Sequence, residues 1–166
     1  MLSKTLTDAL NEQMNYEFYS AHVYLATAAY CSAKSLDGFA NFFLVQAEEE
    51  RYHAMKFYNF INDMGERASI SAMDEPVNTF NDVLDAFEQS LGHEKEVTRR
   101  IYRLADLAMD EREHATLTFL NWFVDEQVEE EASFDALIQR LKRIQNDSHA
   151  FETMDIELGK RTFEAN

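Results

Sequence analysis

The sequence predicts an all-α protein: a four-helix bundle with one long crossover between its second and third helices, and a short fifth helix at the C-terminal end. Three observations carry this. The chain of 166 residues has 4 Gly and 1 Pro, and a chain so poor in turn-formers is most simply built from long helices. Four long segments repeat apolar residues at helical spacing. Between them, residues 65–80, "GERASISAMDEPVNTF", form a connection long for joining antiparallel neighbours.

The first helix is expected over about residues 5–32, with the stripe Leu6, Leu10, Gln13/Met14, Glu17, Ala21, Tyr24, Ala28 and Cys31. The second spans about 37–64, opened by Asp37 as N-cap and closed near Gly65. Its stripe is Phe39, Phe43, Gln46, Glu50, His53, Phe57, Phe60 and Met64. The 65–80 connection can run extended for roughly 50 Å, the length of a bundle, which makes the second and third helices parallel. The third helix covers about 81–109, capped by Asn81 or Asp82, with Val83, Phe87, Leu91, Glu94, Val97, Ile101, Leu104 and Ala108 inward. The fourth covers about 113–143, with Leu117, Leu120, Val124, Gln127, Glu130, Phe134, Leu137 and Leu141. Residues 148–158 form the fifth, where Phe151, Met154 and Leu158 fit the period and need a surface to pack on.

The length suits one domain over residues 1–166, and 46% apolar residues with 13 Phe and 7 Tyr supply a core. A net charge of −16 argues against nucleic acid and for attraction of cations, although a solvated acidic surface explains the charge equally well. Cys31 is the lone cysteine and reads as a core residue of a cytoplasmic protein. No secretion signal or membrane span is expected.

Each stripe is apolar at both ends and polar near its middle. The interruptions are Glu17, then Glu50 and His53, then Glu94, then Gln127 and Glu130. In a bundle they fall in one layer. Buried unpaired carboxylates cost several kcal/mol each and repel one another. The stripes hold no Lys or Arg at this height, since Arg51 points to a flank. Two divalent cations would balance four carboxylates, and oxygen with imidazole suits iron, manganese or zinc. Glu50 and His53 are three residues apart, so both reach one ion; Gln127 and Glu130 repeat the spacing.

With these residues, "LNEQMNYEFYSAHVYL", "EEERYH" and "FLNWFVDEQVEEE", nearly the whole chain resembles the bacterial non-haem ferritins. The layer matches the core site for which ferritin-like di-iron proteins are known: single Glu residues from two helices and Glu-x-x-His motifs from the others, here with Gln127 and Glu130 on the fourth. The resemblance implies a cage of 24 subunits that oxidises Fe(II) with O2 or H2O2 and stores ferric mineral. It implies a first iron held by Glu17, Glu50 and His53, and a second held by bridging Glu50 with Glu94 and Glu130, Gln127 at the edge. It further implies a weaker third iron site at Glu49, Glu126, Glu129 and Glu130, and a near-site tyrosine at Tyr24 that can supply an electron. For Glu126 and Glu129 a solvated face is the plain alternative, and for Tyr24 a core aromatic.

Haem is not expected. Haem-binding relatives carry Glu-x-x-His on the fourth helix and a Met directly after the second-helix Glu, where this chain has Gln127, Glu130 and Arg51. DNA-coating mini-ferritins and rubrerythrin-type proteins fit less well, given the intra-chain site, the acidic charge and the single cysteine. Asp110, Glu111 and Glu113 at the third corner are either channel acids or favourable charge at a helix N-terminus. A passive shell for oxidised iron and a di-metal oxygenase on an isolated bundle remain as rival functions.

Overall fold

The computed structural model describes residues 2–165 and contains five helices: α1 Lys4–Ala33, α2 Asp37–Asp63, α3 Val83–Asp110, α4 His114–Arg143 and α5 Ser148–Leu158. The expected four long helices and the short fifth are all present. α1 pairs with α2, α3 with α4, α1 joins the pairs through α3, and α5 lies on α2.

The termini explain the boundaries. Ser3, Asp82, Glu113 and Asp147 cap α1, α3, α4 and α5, each accepting a hydrogen bond from the backbone N–H three residues on. α2 departs from expectation. Its cap position is Leu36, which offers no side-chain acceptor, and Asp37 is the first helical residue. The missing acceptor comes from α5, where Asp155 Oδ1 takes the Phe39 N–H at 2.9 Å. At the other end Gly65 adopts φ +80°. Its N–H bonds to Asn62 O and that of Glu66 to Ile61 O, the paired bonds of a left-handed helix stop.

The connection from α2 to α3 contains no helix or strand. Asn11 and Asn15, one turn apart on α1, clamp its first half. Their amides donate to Arg67 O (3.2 Å) and Ser69 O (2.8 Å), and their oxygens accept from Ser69 N (2.6 Å) and Ser71 N (2.9 Å). Farther along, Phe80 meets Tyr30 edge-on, with ring centroids 5.1 Å apart. The connection therefore climbs α1 from Asn11 to Tyr30 before α3 begins, which makes α2 and α3 parallel.

Two apolar cores lie along the bundle. One contains Tyr24, Phe39, Phe43, Phe87, Phe134 and Met154; the other contains Leu6, Met14, Phe57, Ile101, Leu120 and Phe123. The polar layer separates them. Toward the helix ends the buried positions drift from the expected stripes. Ile61, Phe123 and Ile138 are buried, whereas Phe60, Met64, Val124 and Leu137 are half-buried. A straight α-helix turns past a strict seven-residue repeat, so long stripes rotate. Cys31 is buried, as expected. Among the described residues no helix is long and apolar enough to cross a membrane.

α5 approaches α2 very closely. A Cβ at Gly38 would stand 1.5 Å from the Asp155 carbonyl oxygen, so only glycine fits. Gly38→Ala is expected to push α5 away and lower stability by about 1–3 kcal/mol. Chemical denaturation should show the loss, with faster proteolysis confined to residues 148–165.

Candidate metal centre

All four long helices bring carboxylates to the layer. Glu17 comes from α1, Glu50 and His53 from α2, Glu94 from α3, and Gln127 and Glu130 from α4; all six are buried. Three of them converge most tightly. Glu17, Glu50 and His53 each offer one ligating atom, and these atoms lie within 4.8 Å of one another. His53 Nδ1 stands 3.3 Å from Glu50 Oε2 without forming a hydrogen bond to it. Its ring is held edge-on by Trp122 (5.4 Å) and Phe123 (5.9 Å).

Amide and phenol donors satisfy part of the layer. Gln13 Nε2 donates to Glu17 Oε1 at 2.8 Å. Gln46 Nε2 donates to Glu130 Oε2 at 2.9 Å and reaches Glu50 Oε1 at 3.4 Å. Gln127 Nε2 bonds to Glu94 Oε2 at 3.1 Å and to the Glu94 carbonyl at 3.2 Å. Tyr24 donates its hydroxyl to Glu94 Oε1. Its ring stacks between Phe43 and Phe134, at 6.1 and 5.8 Å. Two oxygens are left over: Glu17 Oε2 and Glu50 Oε2 are buried and have no hydrogen-bond partner among the described residues.

The electrostatics follow from burial. Glu17 is pushed well above the carboxylate range by desolvation, then by Glu50. Glu50 is raised by desolvation and by Glu94 and Glu130. Glu130 is raised to about 8 by the same causes, with Glu94 and Glu49 as its neighbours. Glu94 is raised by burial, against which Tyr24 and Gln127 pull it down. Burial and Glu94 also hold Tyr24 firmly protonated. Carboxylates that resist ionising, beside oxygens with no donor, fit a divalent cation: it supplies both the missing partner and the missing charge.

The residues assigned by resemblance to a third site differ in exposure. Glu130 is buried in the layer, Glu126 is half-buried and Glu129 is exposed. Glu126 Oε1 lies 3.8 Å from His53 Nε2, and desolvation raises its pKa. Glu49 pairs with Arg161 at 2.7 Å. All four line a cavity of about 640 Å³, as do Arg161 and Lys160. At the α3–α4 corner, Glu111 accepts from Ser3 Oγ (2.8 Å) and Glu113 caps α4, accepting from Thr116 N (2.6 Å). Those two acids have structural work, and Asp110 is exposed.

The sequence reading left three contributors without a role in the site. Gln13 and Gln46 each lie one turn before a layer carboxylate on the buried stripe, so the signal was present. Arg161 follows the last helix, where no periodicity marks it.

Comparisons with known proteins agree with this picture. The family model of the ferritin-like domain matches residues 7–144. The chain is 52% identical to the bacterial non-heme ferritin of Staphylococcus aureus strain MRSA252 over 164 residues, covering 99% of both chains. It is 51% identical to the Staphylococcus saprophyticus protein of the same name, over 99% of this chain and 98% of that one. Among solved structures, an engineered closed form of Archaeoglobus fulgidus ferritin superposes with a TM-score of 0.97 at 42% identity, covering 99% of this chain and all of that one. An open-pore ferritin from the same archaeon gives 0.96 at 42% identity, covering 98% of this chain and 99% of that one. The polar layer, the bundle that carries it and these likenesses together place the chain in the ferritin family.

Proposed function

We propose that this protein stores iron, oxidising Fe(II) to Fe(III) at an intra-chain two-iron centre and holding the ferric product inside a cage of 24 copies. The observation that carries the reading is the pair of buried, partnerless oxygens on Glu17 and Glu50 beside His53. In this reading residues 1–166 act as one domain. Glu17, Glu50 and His53 take one Fe(II) as substrate, and Glu50 bridges to a second held by Glu94 and Glu130. Gln127 stays at the edge, as the amide that orients Glu94. Glu49, Glu126, Glu129 and Glu130 form a weaker third position on the way out. The lone buried cysteine and the family likeness support a cytoplasmic setting.

The reaction takes one electron from each Fe(II), and O2 with two protons becomes H2O2. With H2O2 as oxidant, the same two electrons and two protons yield water. Hard carboxylate oxygens hold Fe(III) better than Fe(II), which favours oxidation. A cation entering the layer competes with protons for Glu17, Glu50 and Glu130, whose ionisation is opposed by burial and by neighbouring carboxylates. Tyr24 keeps its proton while it donates to Glu94, and so orients that carboxylate toward the site.

Aerobic Fe(II) oxidation at two equivalents per chain tests the reading. Wild type should oxidise rapidly, and Glu50→Ala should be slowed at least about 100-fold, because losing even an outer-shell partner costs 10–100-fold at metal sites. Oxidation at the buffer rate by both would overturn the ferroxidase assignment and leave a passive shell. Sedimentation should show a particle near 460 kDa, roughly 24 chains of 19.3 kDa; a single-chain species would favour an isolated di-metal enzyme.

The metal-free protein should also respond to pH in a definite direction. The Glu130 carboxyl rises from 4.5 to about 8 on folding, so the folded state holds its proton where the unfolded chain has lost it. Stability contributed in this way is full below pH 4.5 and falls as pH rises toward 8. Urea midpoints should decline over that window, less steeply in Glu130→Gln. Two Zn(II) per chain should flatten the wild-type decline.

A further inference from the structure

After Leu158 the chain turns back along α2. Asn41 Nδ2 fixes the return by donating to Leu158 O and Arg161 O, both at 3.0 Å. Arg161 then reaches inward. Its guanidinium lies 4.3 Å from the centre of the Phe42 ring. It donates to Phe42 O at 3.2 Å, to Gln46 Oε1 at 2.9 Å and to Glu49 Oε2 at 2.7 Å.

Two things follow from these contacts. Because the Gln46 carbonyl end is committed to Arg161, its NH2 end must face Glu130 and Glu50. Because Glu49 faces Arg161, one carboxylate of the cavity wall is already paired with a positive charge. An arginine is charged at every accessible pH. It is also a poorer partner for several carboxylates at once than a divalent cation is, since it meets Glu49 through one contact only.

We propose that Arg161 is a tethered counter-cation that a metal ion must displace from Glu49 in order to bind among Glu49, Glu126, Glu129 and Glu130, so that Arg161 sets how weak that third position is. The inference rests on the function proposed above for the origin of the metal, and its test does not depend on oxidation. Glu130 belongs both to the buried layer and to the cavity wall, so an ion leaving the layer passes from Glu130 into reach of Glu49. If Glu49 were free, the ion would be held there by an additional full charge. With Arg161 paired to it, the ion meets a site already partly neutralised and is held only weakly. The bonds from Asn41 hold the backbone of the return, so the guanidinium can swing away and come back without α5 moving.

Zn(II), which does not change oxidation state, gives the test. Calorimetric titration of the purified full-length protein should count two tight ions and one weak ion per chain. Arg161→Gln should tighten the third at least tenfold. Arg161→Lys, which keeps the charge, should leave it within threefold of wild type. A third-ion affinity in Arg161→Gln within twofold of wild type, or no third ion in any of the proteins, overturns the proposal. If Arg161→Gln does not fold, wild type still decides the matter. Phenylglyoxal labelling of Arg161, read by mass spectrometry, should quicken at least threefold on the third Zn(II) and not on the first two. Unchanged labelling with the third ion bound overturns the proposal. The ferroxidase reading is judged separately, by Fe(II) oxidation in wild type.

Discussion

Four carboxylates share one buried layer, and among the described residues no Lys or Arg is buried with them. Everything else in the bundle accommodates that. Moving such a group out of water costs several kcal/mol even after relaxation, so the layer destabilises the fold that carries it. The compensation lies on either side. Phe39, Phe43, Phe87 and Phe134 above the layer, and Leu6, Leu10, Phe57 and Phe123 below it, are almost fully buried. Each such side chain contributes about 1.5–3 kcal/mol on burial. Two dense cores can hold a polar layer between them, whereas a single small core could not.

The connection and the fifth helix serve the same end. An extended crossover lets α2 and α3 run parallel, so both bundle halves present their helix centres at one height. Its own backbone needs partners, and the Asn11 and Asn15 side chains supply them from the outer face of α1. α5 covers the end of the upper core and caps α2 through Asp155. It also positions the return that brings Arg161 to the edge of the layer. An acidic chain that stores iron thus keeps the positive charge of Arg161 beside its buried acids.

Much of this was legible in the sequence because it is periodic. Glu17, Glu50, His53, Glu94 and Glu130 stood out by occupying apolar steps on helices whose lengths were already clear. Contacts made outside the period were not legible. Asp37 looked like a cap because the local pattern allowed it, while the acceptor that α2 uses lies more than a hundred residues away in Asp155. Arg161 belongs to a non-helical return and carries no spacing signal. The drift of Phe123 and Ile138 into the core reflects rotation of the stripe along a long helix, which a fixed step misses. Glu129 sits beside Glu130 in sequence yet faces outward, since neighbours on a helix point about 100° apart.

The layer is also lopsided. Glu94 is held by Tyr24 and Gln127, and Glu130 is held by Gln46. A cation approaching that side competes with donors already in place. Glu17 and Glu50 each keep one oxygen with no donor, and His53 Nδ1 stands beside that of Glu50. A cation approaching there meets two oxygens that no donor holds. In the two-iron centre proposed above, the two halves would therefore hold metal differently. Glu50, reached from one side by Gln46 and open on the other, is the group through which a change in one half is felt in the other.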